Sequence, residues 1–321
     1  NRHASRDAAV MTLQVGLVGA RGHTGRELLR ILARRPDMNL AFASSRELDG
    51  QPVSSVAPEI STDMAFEALD AEAVATRGAD AVILALPNGA AAPFVAAINR
   101  HAPATLIVDL SADYRFDDDW RYGLPELNGR ASLKEATRIS NPGCYATCGQ
   151  LSIAPVRGLL EAPAHVFGVS GYSGAGTTPS RRNDTEALAD NLMPYALTGH
   201  IHEAEMTRQL CHDVMFTPHV ASFFRGLIVT SHLRFGEAVS AGGLADAYRG
   251  FYEGERLVEL LDRIPEVRDG ANQDGVKIGG FSVSADGRRG VVVATLDNLL
   301  KGAAVQAVQN LAIAADLPEY L

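Results

Sequence analysis

The chain has 321 residues, enough for two domains that each bury a hydrophobic core. Hydrophobic residues make up 46% and charged residues 21%, as in ordinary globular proteins, and no apolar run approaches the ~20 residues of a membrane-spanning helix. The net charge of -9, without a basic stripe, argues against nucleic-acid binding, so an anionic substrate needs local arginines to hold it.

Cysteine usage and the N-terminus bear on the compartment. Cys144, Cys148 and Cys211 have no metal-ligand spacing, so they predict a reducing compartment rather than a disulfide framework, and no metal site is predicted. Residues Asn1 to Val10 lack the apolar core and cleavage pattern of a secretory signal, and Met11 is a candidate natural start.

The first predicted unit is a strand, a glycine loop and a helix. Leu13 to Val18 is an apolar run, and Glu27 to Arg35 has an apolar helical face ended by Pro36. The loop between them has the spacing G-x-x-G-x-x-G and suits a pyrophosphate bound on exposed N–H groups. Its candidate cofactor-binding residues are Gly19, Arg21, Gly22, His23, Thr24 and Gly25. A tight turn without a ligand is the alternative.

The second strand ends where dinucleotide folds place the group that contacts the ribose. Leu40 to Ala43 runs into Ser44, Ser45 and Arg46. Hydroxyls and a guanidinium suit a 2′-phosphate, so these residues favour NADP over NAD, although Glu47 is close. A polar loop without cofactor contact is an equally good interpretation of these residues.

Two more apolar strands follow, Ala81 to Leu86 and Leu106 to Leu110, with an alanine-rich helix from Ala90 to Asn99 between them. The alternation predicts a doubly wound parallel sheet, in which ligands bind beyond the carboxyl ends of the strands. Pro87 and Arg115 follow those ends. Arg115 is a candidate anion holder, and a solvated surface arginine is the alternative.

The stretch Ser140-Asn-Pro-Gly-Cys-Tyr-Ala-Thr-Cys148 carries the main chemical signal. Pro142 and Gly143 are turn residues, and the small and apolar run after them predicts a helix that begins at or near Cys144. N–H groups at a helix N-terminus lower a cysteine pKa below its free value of ~8.5, which favours a nucleophile for an acyl carbon. A small buried hydrophobe is the alternative.

Longer strands dominate after Cys144. The predicted elements are strands at Val166 to Tyr172, Gly226 to Phe235, Val276 to Ser284 and Gly290 to Leu296, and helices at Leu244 to Tyr252 and from about Leu300 to Ala315. The predicted fold class is α/β: a doubly wound parallel dinucleotide-binding domain with a second α+β domain of mixed or antiparallel sheet. The first domain is expected to span 11–143, completed by the C-terminal helix 300–321, and the catalytic and oligomerisation domain 144–299.

Two further stretches hold candidate groups. Ser170-Gly-Tyr-Ser-Gly-Ala-Gly176 is a turn that permits close approach of a ligand to the backbone, or else a flexible loop. His200 and His202, with Glu203 and Glu205, form the densest titratable cluster. If that segment is extended, both histidines share a face, which suits an acid/base partner of a thiolate. A solvated polar turn is the alternative.

Together these stretches resemble the N-acetyl-gamma-glutamyl-phosphate reductase family, over nearly the whole chain after Met11. The motifs that carry the resemblance are Gly19-Ala-Arg-Gly-His-Thr-Gly25, Leu110-Ser-Ala-Asp-Tyr-Arg115, Asn141-Pro-Gly-Cys-Tyr145, Gly171-Tyr-Ser-Gly-Ala-Gly176, His200-Ile-His202 and Asp297-Asn-Leu-Leu-Lys-Gly302. Many family members have His-Arg-His where this chain has His200-Ile-His202. Ile201, in place of that arginine, makes the segment similar to the branch that includes fungal forms. The partner of the substrate carboxylate is therefore open.

The resemblance implies reductive dephosphorylation of an acyl phosphate by NADPH. It implies a Cys144 thioester, and proton transfer and substrate positioning by His202 with His200 near it, and the sequence does not rank the two histidines. The implied substrate contacts are Arg115, Asn141, Tyr172 and Glu205. The implied further cofactor contacts are Pro87, Ser173, Gly174 and Asn298, the last near the nicotinamide. A homodimer or homotetramer is implied, in the cytoplasm, or in mitochondria for a fungal-type source.

Two rival functions remain. One is the same chemistry on another acyl phosphate, such as aminoadipyl or aspartyl phosphate. The other is a dinucleotide-binding regulator that senses redox state through Cys144 without turnover.

Overall fold

The computed structural model of the chain describes residues 12–320. The expectations about Asn1 to Val10 and Met11 concern residues outside that range. No helix within the described residues is long and apolar enough to cross a bilayer.

Six parallel strands form the first sheet. They are β1 (Leu13–Val18), β2 (Met38–Ser44), β3 (Ala81–Leu84), β4 (Leu106–Asp109), β5 (Arg121–Tyr122) and β6 (Arg138–Ser140), and their order is β2-β1-β3-β4-β6-β5. The order reverses at β1, which pairs with β2 on one side and β3 on the other. The helices of this half are α1 (His23–Ala33), α2 (Ala71–Thr76), α3 (Ala92–His101) and α4 (Pro125–Asn128). The doubly wound prediction is confirmed, and ligands of such sheets bind where the order reverses.

Seven strands form the second sheet. They are β7 (Ala164–Gly171), β8 (Leu192–Pro194), β9 (Val214–Ala221), β10 (Leu227–Arg234), β11 (Val258–Leu260), β12 (Val276–Val283) and β13 (Arg289–Leu296), in the order β11-β12-β13-β10-β7-β9-β8. The β7–β9 and β11–β12 pairs are parallel and the other pairs antiparallel, so the predicted mixed sheet is confirmed.

The helices of the second half are α5 (Cys144–Ile153), α6 (Thr185–Leu188), α7 (Ile201–Leu210), α8 (Ala241–Phe251), α9 (Val267–Gly270) and α10 (Val305–Ala314). Helix α5 packs on β10 and β13. On β7 and β9 of the same sheet, the side chains of Phe167 and Met215 are 42% and 51% exposed. These strands alternate in burial, so the sheet has one covered face and one open face.

The sequence pattern missed α7 and the shorter elements α2, α4, β5 and β6. The segment from His200 is not extended, because the His200 ring nitrogen accepts a hydrogen bond from the backbone N–H of His202 and caps α7. Few apolar residues in α7 are buried, so its hydrophobic period is weak.

The C-terminal helix lies against elements of the first sheet. A π-helical turn (Leu300–Ala304) leads into α10, which packs against α1 and β4. Leu300, Val308 and Leu311 share one core with Val15 and Leu28. The domain boundary between residues 143 and 144 stays a prediction.

Candidate active site

Cys144 is the first residue of α5 and follows β6 by a three-residue connection, beyond the carboxyl edge of the parallel sheet. The helix cap, Gly143, supplies no side-chain hydrogen bond, so the first N–H groups of α5 remain available at the sulfur. The side chain of Cys144 is partly buried. The predicted helix start is therefore confirmed.

Gly143 is required for space rather than for an unusual backbone conformation. Its φ of -71° is accessible to any residue. A Cβ atom at this position would lie 2.1 Å from Nε2 of His202 and 2.8 Å from Nη1 of Arg115. The missing side chain thus lets the imidazole and the guanidinium approach the backbone next to Cys144.

The Glu205 carboxylate holds the turn at Gly143 and the Arg115 guanidinium together. Its Oε1 accepts hydrogen bonds from the backbone N–H of Gly143 (2.9 Å) and from the Tyr122 hydroxyl (2.6 Å). Its Oε2 forms an ion pair with Nη1 of Arg115 at 3.1 Å. A buried carboxylate that is paired and hydrogen-bonded in this way holds its neighbours in one geometry.

Three predicted substrate ligands are buried and engaged in contacts within the protein. Glu205 is fully buried with both oxygens engaged. Arg115 is 7% exposed, and it donates to carbonyl oxygens of Asn141 and Leu110 as well as to Glu205, so its charge is largely neutralised inside the protein. The Asn141 side chain is buried between Ala303 and Asn310. All three hold the turn at Cys144 in place, and their assignment as substrate ligands stays a prediction.

His202 is the titratable group that packs on this turn. Its Nε2 lies against Gly143, whereas its buried Nδ1 has no hydrogen-bond partner among the described residues. Burial, then the charges of Arg115 and His200, hold the pKa of His202 well below its usual value. The ring of His200 lies 4.7 Å from that of His202, centroid to centroid. Both histidines therefore reach one site, although helix capping and not strand alternation brings them together.

The C-terminal π-helical turn closes the other side of Cys144. A Cβ atom on Gly302 would lie 2.7 Å from Cβ of Cys144. The preceding residue, Lys301, is fully buried, and its Nζ is bonded to Glu126 (2.7 Å), Gln306 (2.6 Å) and Gln309 (2.8 Å). These contacts fix the turn to the first domain and set the distance between its backbone and the cysteine.

The expected low pKa of Cys144 is wrong for the ligand-free protein. Burial raises the pKa to about 11, and the N–H of Tyr145 and the charge of Arg115 offset only part of that increase. The helix N-terminus acts in the predicted direction, but desolvation of the thiolate is the larger effect.

We therefore expect slow alkylation of Cys144 at neutral pH. In ligand-free protein with Cys211→Ser, the rate with iodoacetamide should rise about tenfold per pH unit through the alkaline range, because only the thiolate reacts. Peptide mass spectrometry measures the rate, and an N-acetylcysteine peptide with a thiol pKa of ~8.5 is the control. A rate already constant at pH 7 would contradict the raised pKa.

The glycine loop after β1 has the geometry of a phosphate site. Gly19 has a φ of +83°, and a Cβ there would lie 2.2 Å from the carbonyl oxygen of Ala85. A Cβ on Gly25 would lie 2.6 Å from the carbonyl oxygen of Ala20. Helix α1 begins at His23, and its cap Gly22 makes no side-chain hydrogen bond. The first N–H groups of α1 can therefore bind an anion.

The residues after β2 suit the adenosine end of a dinucleotide. The buried Oγ of Ser45 has no partner among the described residues, which marks a place for a ligand oxygen. Ser44 fixes the loop, since its carbonyl oxygen accepts from the N–H groups of Gly19 and Ala20. Arg46 is exposed, and Glu47 pairs with Arg21 at 3.2 Å, which partly offsets the acidic charge beside the serines.

The second glycine turn faces the first across a cavity of about 710 Å³. His23 lines one side and Tyr172 and Gly176 the other, so Tyr172 groups with the cofactor loop. Asn298 is buried, donates to the Ser173 hydroxyl and accepts from the N–H of Gly226, both at 2.9 Å. Asn298 therefore supports the turn, and its contact with the cofactor stays a prediction.

The other residues predicted to contact the cofactor lie in the two glycine turns and after β3. Gly174 and Pro87 are exposed, Pro87 beyond the carboxyl end of β3. Ser173 is buried, and its hydroxyl is the acceptor for Asn298. Thr24 lies in the first turn of α1. Within residues 12–320, no group of three or more metal-ligating side chains could hold a metal ion.

Two family profiles together cover most of the chain. A semialdehyde dehydrogenase NAD binding domain matches residues 14–136, and a semialdehyde dehydrogenase dimerisation domain matches residues 144–298. The N-acetyl-gamma-glutamyl-phosphate reductase of Stenotrophomonas maltophilia is 54% identical over 308 residues, 96% of this chain and 97% of that protein. The chain belongs to the N-acetyl-gamma-glutamyl-phosphate reductase family. The reductase of Xylella fastidiosa, 53% identical over 308 residues, covers 96% of this chain and 94% of its own length.

More distant proteins share the fold of this reductase family. Aspartate semialdehyde dehydrogenase II of Vibrio cholerae has a TM-score of 0.73 at 17% identity, over 94% of this chain and 98% of its own. The aspartate semialdehyde dehydrogenase of Candida albicans, solved with NADP, has a TM-score of 0.71 at 16% identity, over 94% and 98%. This likeness extends over both sheets and confirms the predicted fold class.

Three residues of the reductase site were not among the predicted ones. Gly302 and Lys301 stand in the motif Asp297-Asn-Leu-Leu-Lys-Gly302, so the motif itself was the available signal. Tyr122 lies in a two-residue strand and has no local signal, because its role depends on contact with Glu205, 83 residues away.

Proposed function

We propose that the chain reduces N-acetyl-gamma-glutamyl phosphate to N-acetylglutamate semialdehyde with NADPH, as a step of arginine biosynthesis, through a thioester on Cys144. The main support for a thioester is the position of Cys144 at the start of α5. It lies between Gly302 and the turn at Gly143, which His202 contacts. The near full-length identity to reductases of that name supports the substrate.

The cofactor is NADPH. The first turn of α1 and the glycine loop suit its pyrophosphate, and Ser45 with Arg46 suits its 2′-phosphate. The unpartnered Ser45 hydroxyl and the absence of a side-chain cap on α1 support this fit. When bound, NADPH supplies a hydride to the acyl carbon.

The first half-reaction forms the thioester. Cys144 loses its proton to His202 and its sulfur attacks the acyl carbon, so that a C–S bond forms and the C–O bond to phosphate breaks. In the free protein both groups are neutral, because the pKa of the thiol is raised and that of the imidazole lowered. A bound phosphate and carboxylate add negative charge, which raises the pKa of His202 and favours the transfer.

The second half-reaction releases the aldehyde. After hydride addition, the oxygen of the tetrahedral adduct bears a negative charge that the N–H groups at the start of α5 can stabilise. The alkoxide collapses to the carbonyl of the aldehyde, the C–S bond breaks with its electron pair on sulfur, and the protonated His202 returns its proton to the sulfur, so that Cys144 is regenerated as the thiol. Positioning of the substrate contributes most of the rate enhancement, since an acyl phosphate is already activated.

A homo-oligomer, a dimer or tetramer, is part of the proposal. The open face of the second sheet exposes Phe167 and Met215, and the matching profile is named for dimerisation. We also propose the division into residues 11–143 with 300–321 and residues 144–299. The cytoplasm is the proposed compartment, supported by bacterial relatives and by three unpaired cysteines.

The reverse reaction tests the substrate. With NADP and phosphate, kcat/KM for N-acetylglutamate semialdehyde should exceed those for N-acetylaminoadipate semialdehyde and aspartate semialdehyde by at least about tenfold, because one methylene in a fitted site has that effect. Formation of NADPH is followed by absorbance, and reactions without phosphate are the control. Faster turnover of either other aldehyde would replace the proposed substrate.

A further inference from the structure

The loop between the second glycine turn and α6 carries two adjacent arginines, Arg181 and Arg182. Both are exposed, and neither forms an ion pair with a carboxylate within residues 12–320. Arg115, by contrast, is already paired with Glu205 at 3.1 Å. In a chain with a net charge of -9, two exposed arginines without a carboxylate partner are candidates to bind an anionic substrate.

Arg182 stands at one end of a row of rings that leads to the cysteine turn. Its guanidinium carbon lies 4.9 Å above the centroid of the Tyr195 ring. The Tyr195 ring lies 5.7 Å from that of His200, which in turn lies 4.7 Å from that of His202, centroid to centroid. The far end of the row is Nε2 of His202, against Gly143. Arg182 is therefore linked to the cysteine turn through the rings of Tyr195, His200 and His202.

Electrostatics agree with this placement. Burial and then the charge of Cys144 raise the pKa of Tyr195 to about 12, while Arg182 acts in the lowering direction. Burial and then Arg182 lower the pKa of His200. Tyr195 is thus within electrostatic reach of both the cysteine and the arginine.

We infer that Arg182, held over Tyr195, binds the α-carboxylate of the substrate and thereby determines specificity. The inference rests on the proposed function. The reacting carbon and its phosphate must lie at Cys144, whereas the α-carboxylate is at the other end of the substrate and needs a cation that has no carboxylate partner within the protein. The cofactor cavity is lined by other residues of the same loop, namely Gly176, Thr177, Pro179, Ser180, Asn183 and Asp184.

The test compares Arg182→Gln with Arg181→Gln, an equal loss of charge at the neighbouring position. In the reverse reaction, KM for N-acetylglutamate semialdehyde should rise about 10- to 100-fold for Arg182→Gln and remain near wild type for Arg181→Gln, as expected for a lost hydrogen bond to a charged group. With the α-methyl ester of the same aldehyde, wild type and Arg182→Gln should have similar KM values. Arg182→Lys should restore part of the affinity for the acid only.

Each other outcome has a definite meaning. If KM for phosphate or for NADP rises instead, or if the ester loses as much as the acid, Arg182 does not bind the carboxylate and the inference is wrong. If Arg181→Gln raises KM more than Arg182→Gln does, Arg182 is not the residue that binds the carboxylate, and the inference is also wrong. If wild type does not turn over the acid at all, the proposed function fails before the inference is reached.

Discussion

Replacement of Cys144 by serine is expected to lower kcat/KM by at least about 10⁴-fold, because the nucleophile acts as a unit with its proton acceptor. NADPH binding should remain within about twofold of wild type, because the glycine loop and the Ser45 region do not contact Cys144 in this arrangement. Steady-state kinetics and titration of NADPH fluorescence measure the two effects. Mass spectrometry of wild type quenched with the acyl phosphate but no NADPH should show an adduct on Cys144.

The matched control is Cys211→Ser, the same chemical change at an exposed cysteine that closes α7. It should leave kinetics unchanged. The regulator hypothesis makes the opposite prediction, since it expects no turnover in wild type and therefore none to lose. Full activity of Cys144→Ser, or an adduct on another residue, would contradict a thioester on Cys144.

Substitution of alanine for Gly302 is the second change expected to have a large effect. The added Cβ would lie 2.7 Å from Cβ of Cys144 and 3.2 Å from the carbonyl oxygen of Asp297, so either α5 or the π-helical turn must move. A displacement of about 1 Å at a nucleophile can reduce the rate about 100-fold. We expect a loss of that order in kcat, with a smaller change in KM for NADPH.

Overpacking also costs stability, about 1 to 3 kcal/mol, so the free energy of unfolding is measured alongside the kinetics. Gly242→Ala is the control, because α8 offers open space around that position and no atom lies within 4 Å of the added Cβ. It should be neutral or slightly stabilising. If Gly302→Ala is as active as Gly242→Ala, the close packing of Gly302 on Cys144 does not control the reaction.

The sequence predicted most of the first half well, for a local reason. The strand Leu13–Val18 was predicted with its observed bounds, and the glycine loop and Cys144 at a helix start were placed correctly. Each of these depends on short apolar runs and on glycine or proline at adjacent positions. The antiparallel partners β10, β12 and β13 were also predicted within one or two residues, since long apolar strands leave a strong pattern.

Charge and burial were predicted less well. Arg115, Asn141 and Glu205 look in sequence like free polar groups at strand ends and in a titratable cluster, yet they are buried supports. The same applies to the pKa of Cys144. A helix N-terminus is visible in sequence, but the desolvation that opposes it depends on every element packed around the sulfur.

By itself, the sequence determined the doubly wound first sheet, the mixed second sheet and the position of Cys144 at a helix start, because those follow from residue type and from neighbours a few positions away. Only the tertiary structure decided which groups surround that sulfur. The groups around Cys144 come from distant parts of the chain: His202, Glu205 and Gly302 lie 58, 61 and 158 residues after it. Their approach is governed by the missing side chains of Gly143 and Gly302 and by buried ion pairs, which no local pattern encodes.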